Sequence, residues 1–409
     1  MNIAFISISY SEEGHISFYE ELLQEFVSNG HNVYVICATE ARKKQDTSFS
    51  TVRSINVLRV KTGNITENNN LIAKGISTIL VDYQFKNAIK KYLDNIVFNL
   101  IIYPTPPITL AGVVKYLKVK CKAKSYLLLK DIFPQNAVDL GMLSKNGLKG
   151  LVYKYFRYKE KQLYAISDYI GCMSPANIEY VLKHNPNVPK ECLEVCPNCV
   201  KPSNHVVSEE EKIRLRKKYG VPLDKRIFVY GGNLGKPQGI NFVLECINSI
   251  KEISEAFFLI VGAGSEAAKI KAMIKDNRIS NAKLIDRLPK AEYEVLAYTC
   301  DIGLVFLDYR FTIPNFPSRI LSYMQAAMPV LVVTDPNTDM GTIVETNGFG
   351  WKCLSNDSFK FKQKVEKIVE IADLTEMGKR AREYMLEHYD VKDSYKIIMN
   401  HFEKSENIG

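Results

Sequence analysis

Three loops in this sequence combine the residue types that can grip an anion such as a phosphate or diphosphate. The first, Ser9-Tyr10-Ser11-Glu12-Glu13-Gly14-His15, lies between an apolar run at 2–8 and a helical pattern at 16–29. A glycine at Gly14 lets backbone approach an anion, and the N–H groups opening the next helix point outward at it. His15 either bonds a phosphate or caps that helix. The second loop, Val229-Tyr230-Gly231-Gly232-Asn233-Leu234-Gly235-Lys236-Pro237-Gln238-Gly239, separates another strand-like run from another helical pattern. Its glycines can wrap a diphosphate, with Lys236 as a point positive charge and Gly232, Asn233 and Gln238 as further contacts. The third loop begins at Asp308 and carries Asn315-Phe316-Pro317-Ser318-Arg319. Pro317 suits the first turn of a helix, which places Arg319 beside the helix dipole, and arginine permits a two-pronged grip on phosphate.

Other positions carry weaker signals. Gly262-Ala263-Gly264 follows a strand-like run but lacks a third glycine, so it serves a tight turn or touches a diphosphate. Asp131, in Leu128-Leu129-Lys130-Asp131-Ile132-Phe133-Pro134, either faces a ligand or caps the next turn. Arg287 and Ser322 complete the set of donor-side candidates. No Ser-His-Asp or Cys-His arrangement stands out, and H-E-x-x-H is absent. Cys192, Cys196 and Cys199 have only His184 and His205 nearby as further zinc ligands, so no metal or other cofactor is expected.

Short β-branched runs alternate with helical patterns along the whole chain, which predicts α/β architecture with parallel sheets covered on both faces. Strands are expected at 2–8, 33–37, 55–60, 97–103, 125–130 and 168–173, then at 226–231, 256–261, 282–286, 301–306, 329–333 and 349–353. Helices are expected at 16–29, 72–92, 147–166, 239–251, 265–276, 317–327 and 358–372, with a helical tail over 375–404. The two sets of six strands predict two doubly wound, Rossmann-like domains facing a central cleft. The Pro-rich stretch 196–208 is the expected junction, giving domains at 1–199 and 200–388 and a last helix at 389–409 returning to the first domain.

The 409 residues are 46% hydrophobic and 24% charged, which excludes disordered, collagenous and coiled-coil chains. The most apolar stretch, 96–114, is broken by Asn99, Pro104, Pro106 and Pro107, too early for a membrane helix. The N-terminus has no basic lead, and nine scattered cysteines fit reduced thiols, so a cytoplasmic protein is expected. The net charge of +9 is concentrated: residues 61–161 hold 17 basic and 6 acidic side chains, a net of +11. Basic residues interleave with aromatic ones over 107–124 and 147–161, a pattern suited to the anionic inner surface of a cell membrane; the alternative is a solvated face. No nucleic-acid motif accompanies the charge, so nucleic acid is not an expected partner.

The opening loop with Gly14, Asn29-Gly30-His31-Asn32-Val33, Pro197-Asn198-Cys199-Val200, the loop 231–239, Gly262-x-Gly264 and 314–330 together resemble the GT-B glycosyltransferases of family four. Gly232 to Gly239 and Ile313 to Arg319 are most similar to the subgroup that builds capsule and O-antigen units, including N-acetylfucosamine transferases. The resemblance covers nearly the whole chain. It implies retaining, metal-independent transfer of a sugar from a nucleoside diphosphate sugar, UDP-linked, to a polyprenyl-diphosphate-linked saccharide at the cytoplasmic membrane face. It also implies roles: Asp131, His15, Arg319 and Lys236 in catalysis, and Gly14, Gly232, Asn233, Lys236, Gln238, Gly264, Arg287, Asn315, Phe316, Pro317, Ser318, Arg319 and Ser322 in holding the donor. The sequence departs from the family where Asn233 and Gln238 replace an Arg and a Lys, and where a spaced glutamate pair falls on Pro314 and Ser322. The alternatives are a noncatalytic nucleotide-sugar-binding partner or a nucleotide-sugar epimerase of the same fold.

Overall fold

The computed structural model describes residues 1–10, 18–65, 71–204 and 207–406, and the chain separates into two compact units. The first unit is Met1–Lys201 with Val391–Gly409, and the second is Pro202–Asp390. In chain order the first contains β1 (Asn2–Ser7), α1 (Phe18–Ser28), β2 (Asn32–Glu40), β3 (Ser48–Val52), β4 (Ile55–Thr62), α2 (Leu71–Tyr92) and β5 (Leu100–Pro104). It continues with α3 (Ala111–Cys121), β6 (Lys124–Leu129), α4 (Gln135–Asp139), α5 (Gly147–Ile166), β7 (Tyr169–Cys172), α6 (Pro175–His184) and β8 (Leu193–Val195). Its sheet runs β3-β4-β2-β1-β5-β6-β7-β8 and is parallel except for β3.

Alternation along β1 explains the two core layers of this unit. Ile3 and Phe5 point to one side, where Leu22, Leu23 and Phe26 of α1 cover them, while Ala4 and Ile6 point to the other, under Val81, Phe85 and Ile89 of α2. Two strands exceed the six expected. β3 is an exposed antiparallel edge, reached through a turn in which Arg53 and Ser54 both adopt positive φ without any glycine to mark it. β8 is only three residues long.

The second unit contains α7 (Glu209–Tyr219), β9 (Arg226–Asn233), α8 (Ile240–Ser249), β10 (Ala256–Ala263), α9 (Ala267–Asp276), β11 (Ala282–Ile285), α10 (Lys290–Ala297) and β12 (Ile302–Phe306). It ends with α11 (Arg319–Gln325), β13 (Val330–Thr334), α12 (Met340–Thr346), β14 (Gly350–Leu354), α13 (Ser358–Val369) and α14 (Thr375–His388). The sheet order β11-β10-β9-β12-β13-β14 is parallel throughout and reverses direction at β9. In open sheets of this kind, ligands bind beyond the carboxyl ends of the strands beside such a switch point.

The chain then returns to the first unit as α15 (Val391–Glu406). Val391, Ile398 and Met399 join the α1-side core. His401 Nε2 lies 2.9 Å from Glu194 Oε1, and its ring stacks on Tyr169 with centroids 3.6 Å apart. No helix of the described residues is long and apolar enough to cross a membrane.

Candidate functional site

The carboxyl ends of β9, β10, β12 and β13 position most of the candidate residues in the second unit. β9 runs to Asn233, and at Gly232 the backbone takes φ +136, which a side chain would resist. A Cβ at Gly232 would also meet the Arg319 guanidinium at 3.3 Å, so the missing side chain is what lets the cation lie against the loop. Behind it, Tyr230 places its ring 4.4 Å from the guanidinium carbon.

Arg319 has no carboxylate partner among the described residues, and its Nε and Nη1 are buried without any hydrogen-bond acceptor. An arginine stays charged at every physiological pH. Arg319 as a whole is half-buried, so water screens its charge only in part and its neighbours must hold it. Tyr230, Tyr293 and Tyr323 do so. Burial pushes all three phenols above their ordinary range, which keeps them neutral. Tyr323 Oη accepts from Gly231 N at 3.1 Å and donates to Leu304 O at 3.2 Å, locking α11 to β9 and β12. Tyr230 Oη donates to Asn233 O at 2.9 Å, and Tyr293 Oη is buried beside the Tyr323 phenol.

The glycine loop itself is tightly used. Gln238, expected to touch the donor, accepts the Gly235 N–H on its Oε1 at 3.1 Å. Lys236 is exposed at the start of the 3-10 turn Lys236–Gln238, and Asn233 is exposed beside it. Gly262 and Gly264 make room for backbone: a Cβ would come 2.0 Å from Gly232 O and 2.3 Å from Leu234 O, respectively. Leu234 N donates to Ala263 O at 2.9 Å, which stitches the two loops together. Gly264 therefore has a packing duty that the sequence leaves indistinguishable from ligand contact.

The loop between β12 and α11 is pinned from β13. Asp335, which the sequence reading passed over, accepts Asn337 N (2.8 Å), Thr338 N (2.9 Å) and the Thr338 hydroxyl (2.9 Å). Thr338 Oγ1 then accepts Asn315 N at 3.1 Å, and Asn337 Nδ2 donates to Phe311 O at 2.7 Å. Burial pushes the Asp335 carboxyl up to about 6. The available signal was Asp335-Pro336-Asn337-Thr338, an aspartate able to accept N–H groups two and three residues on. Asn315 Nδ2 is buried without a partner among the described residues, and Phe316 is buried near Tyr389. Pro317 does not enter the helix as expected. It shapes the entry because the residue before a proline avoids helical geometry, and α11 starts two residues later at Arg319. Ser318 and Ser322 are half-buried, and Arg287 is exposed after β11.

Asp131 stands in the first unit at the end of β6. Its Oδ2 accepts from Asn136 Nδ2 at 2.7 Å, and burial pushes the carboxyl up to about 6. Neighbouring Lys130, not singled out from the sequence, donates to Cys196 O at 3.0 Å, and burial pulls its ammonium below the usual range. Gly14 and His15 lie outside the described residues. Cys196 and Cys199 are buried free thiols, and among the described residues no group of three His, Cys, Asp or Glu is placed to hold a metal.

Residues 211–384 match the model of the family described as glycosyl transferases group 1. A probable glycosyltransferase WbjE from Pseudomonas aeruginosa is 25% identical over 323 residues, 78% of each chain. A putative colanic acid biosynthesis glycosyl transferase WcaI from Escherichia coli strain K12 is 24% identical over 34% of each. The structure of Alr3699/HepE from Anabaena in complex with UDP superposes with a TM-score of 0.70, covering 99% of this chain and 100% of that one at 14% identity. The fold is thus GT-B with two Rossmann-like units, and over residues 211–384 the chain is similar to the glycosyl transferases of group 1.

Proposed function

We propose that the protein transfers a sugar from a UDP-linked donor to a polyprenyl-diphosphate-linked saccharide, with retention at the anomeric carbon, during capsule or O-antigen assembly at the inner face of the cell membrane. The observation that carries this reading is Arg319, a cation caged by tyrosines, without a carboxylate, beside a glycine loop at the switch point of the sheet. A neutral donor would leave that charge uncompensated; a diphosphate matches it. Exposed Lys236 supplies a second positive charge to the same leaving group. The Anabaena neighbour with bound UDP supports the nucleotide, and the relative named for colanic acid biosynthesis supports the polysaccharide context.

In the reaction, the bond between the anomeric carbon and the diphosphate oxygen breaks, and UDP leaves with the electron pair. Arg319 and Lys236 stabilise the charge that develops on it. The acceptor hydroxyl oxygen bonds to the anomeric carbon on the face that the diphosphate vacates, and its proton passes to an oxygen of the departing phosphate. No protein nucleophile enters. Since fixed cations neutralise the leaving group, transfer requires no divalent metal and should persist in EDTA.

Titration calorimetry with UDP tests the assignment. Removing a charge-assisted contact costs about 1.5–3 kcal/mol, so Arg319→Ala should bind UDP roughly tenfold to hundredfold more weakly. Arg319→Lys should recover only part of the loss, because lysine cannot grip in two places. Equal UDP affinity in wild type and Arg319→Ala would remove Arg319 from the donor site.

A further inference from the structure

Two helices over the first sheet are apolar on the side that faces away from it. In α2, Val81, Phe85, Ala88 and Ile89 are buried against the sheet, an arrangement that ordinarily leaves the opposite face polar. Here the opposite face carries a second stripe: Ile76, Ile79, Leu80 and Tyr83 recur at helical spacing and are exposed, Tyr83 at 64%. The same happens in α5. Gly150, Glu160, Leu163 and Tyr164 face inward, while Leu148, Leu151 and Val152 line the outer side, Leu148 at 85% exposure. Both helices pack against α3, which joins them on one face of the sheet. Burial and then the nearby Asp82 carboxylate of α2 raise the phenol of Tyr155 on α5 above its usual range.

Charge surrounds these stripes. The sequences of α2, α3 and α5 together hold twelve basic and two acidic residues. Both acids are engaged, Asp82 with Lys86 at 3.0 Å and Glu160 with Arg157. Lys149 and Lys154 are exposed beside the α5 stripe, and Lys145 and Lys159 each lie 5.7 Å from a tyrosine ring of the same helix. A polyanion such as nucleic acid would use the lysines and leave the aliphatic side chains idle. A second copy of this chain would bring an equally basic surface against the first. An anionic lipid interface uses both features, the apolar stripes at the acyl boundary and the ammonium groups among the headgroup phosphates.

We propose that α2 and α5 dock the first unit on an anionic bilayer through their outward stripes, Ile76, Ile79, Leu80 and Tyr83 on one and Leu148, Leu151 and Val152 on the other. This rests on the reading of a lipid-linked acceptor and adds a specific insertion surface to it, half of it on α2, which lies outside the basic and aromatic stretches 107–124 and 147–161.

Sedimentation of the full chain with phosphatidylcholine vesicles, with and without phosphatidylglycerol, tests the surface. Wild type should partition to the anionic vesicles, less at high salt but not to zero. Burying one such side chain is worth roughly a factor of ten or more. Ile79→Ser with Tyr83→Ser, and separately Leu148→Ser with Leu151→Ser, should each therefore lower the partition coefficient by about tenfold or more while leaving UDP affinity unchanged. The fluorescence of Leu151→Trp should shift to the blue on adding the anionic vesicles. Equal partition of wild type and both double variants overturns the proposal. So does a wild type that ignores both vesicles, or a wild-type dimer that the serine variants dissociate, which would give the face to a second copy. If docking behaves as described but no sugar reaches a lipid acceptor, the transfer reading fails and the surface stands. If the variants bind vesicles and transfer sugar like wild type, the surface fails and the transfer reading stands.

Discussion

Tyr230 does two things at once around Arg319, and substitution can separate them. Its ring meets the guanidinium at 4.4 Å, and its hydroxyl holds Asn233 O at 2.9 Å. A cation–π contact to a half-buried arginine is worth about 1 kcal/mol and a neutral hydrogen bond contributes about 1 kcal/mol more, so removing both costs about 2 kcal/mol. Tyr230→Leu should therefore raise the KM for the donor by roughly ten- to thirty-fold, and Tyr230→Phe, which keeps the ring face, by about fivefold at most. Indistinguishable KM values for the two variants would mean that the ring does not position the cation. At this scale the sequence was only partly legible. Arg319, Lys236 and Gly232 could be chosen by residue type and loop position. The tyrosine cage could not, because Tyr230, Tyr293 and Tyr323 come from three separate elements. Gln238 and Gly264 illustrate the converse: a residue suited to a phosphate is equally suited to a neighbouring backbone, and only packing distinguishes the two.

Among the elements, the loop after β13 holds the loop before α11, and that clamp has a pH signature. Burial sets the Asp335 carboxyl at about 6 against an ordinary 3.8. Its charged form is thus less favoured in the folded chain than in the unfolded one. Its contribution is fully retained below the ordinary value and declines as pH rises through about 6, by about 3 kcal/mol in all. Urea unfolding between pH 4 and 7 should show Asp335→Asn gaining stability relative to wild type as pH rises, since an amide still accepts from Asn337 N and Thr338 N. A difference between the two proteins that stays constant over this interval would place Asp335 in the ordinary carboxylate range. The strands themselves were well legible, because those covered on both faces read as continuous apolar runs. β3 was not. Four of its five residues are exposed and the fifth is half-buried, and its turn uses Arg53 and Ser54 where a glycine would have announced it.

For the whole molecule, the sequence indicated two α/β domains and a returning helix, and the structure divides the chain at Lys201/Pro202 and Asp390/Val391. The separation of duties follows from composition. The first unit concentrates basic charge and outward apolar stripes, while the second concentrates glycine loops and the caged cation. Such a division suits an enzyme whose donor is a soluble anion and whose acceptor is held in a membrane. The most direct measurement follows radiolabel from a panel of UDP sugars into the lipid fraction of membranes that contain polyprenyl-diphosphate-linked saccharides, in EDTA, with wild type and Arg319→Ala. Label from at least one UDP sugar should enter lipid with wild type and be reduced by tenfold or more with the variant. Absence of labelled lipid from every UDP sugar, or conversion of the donor sugar without any acceptor present, would contradict the account.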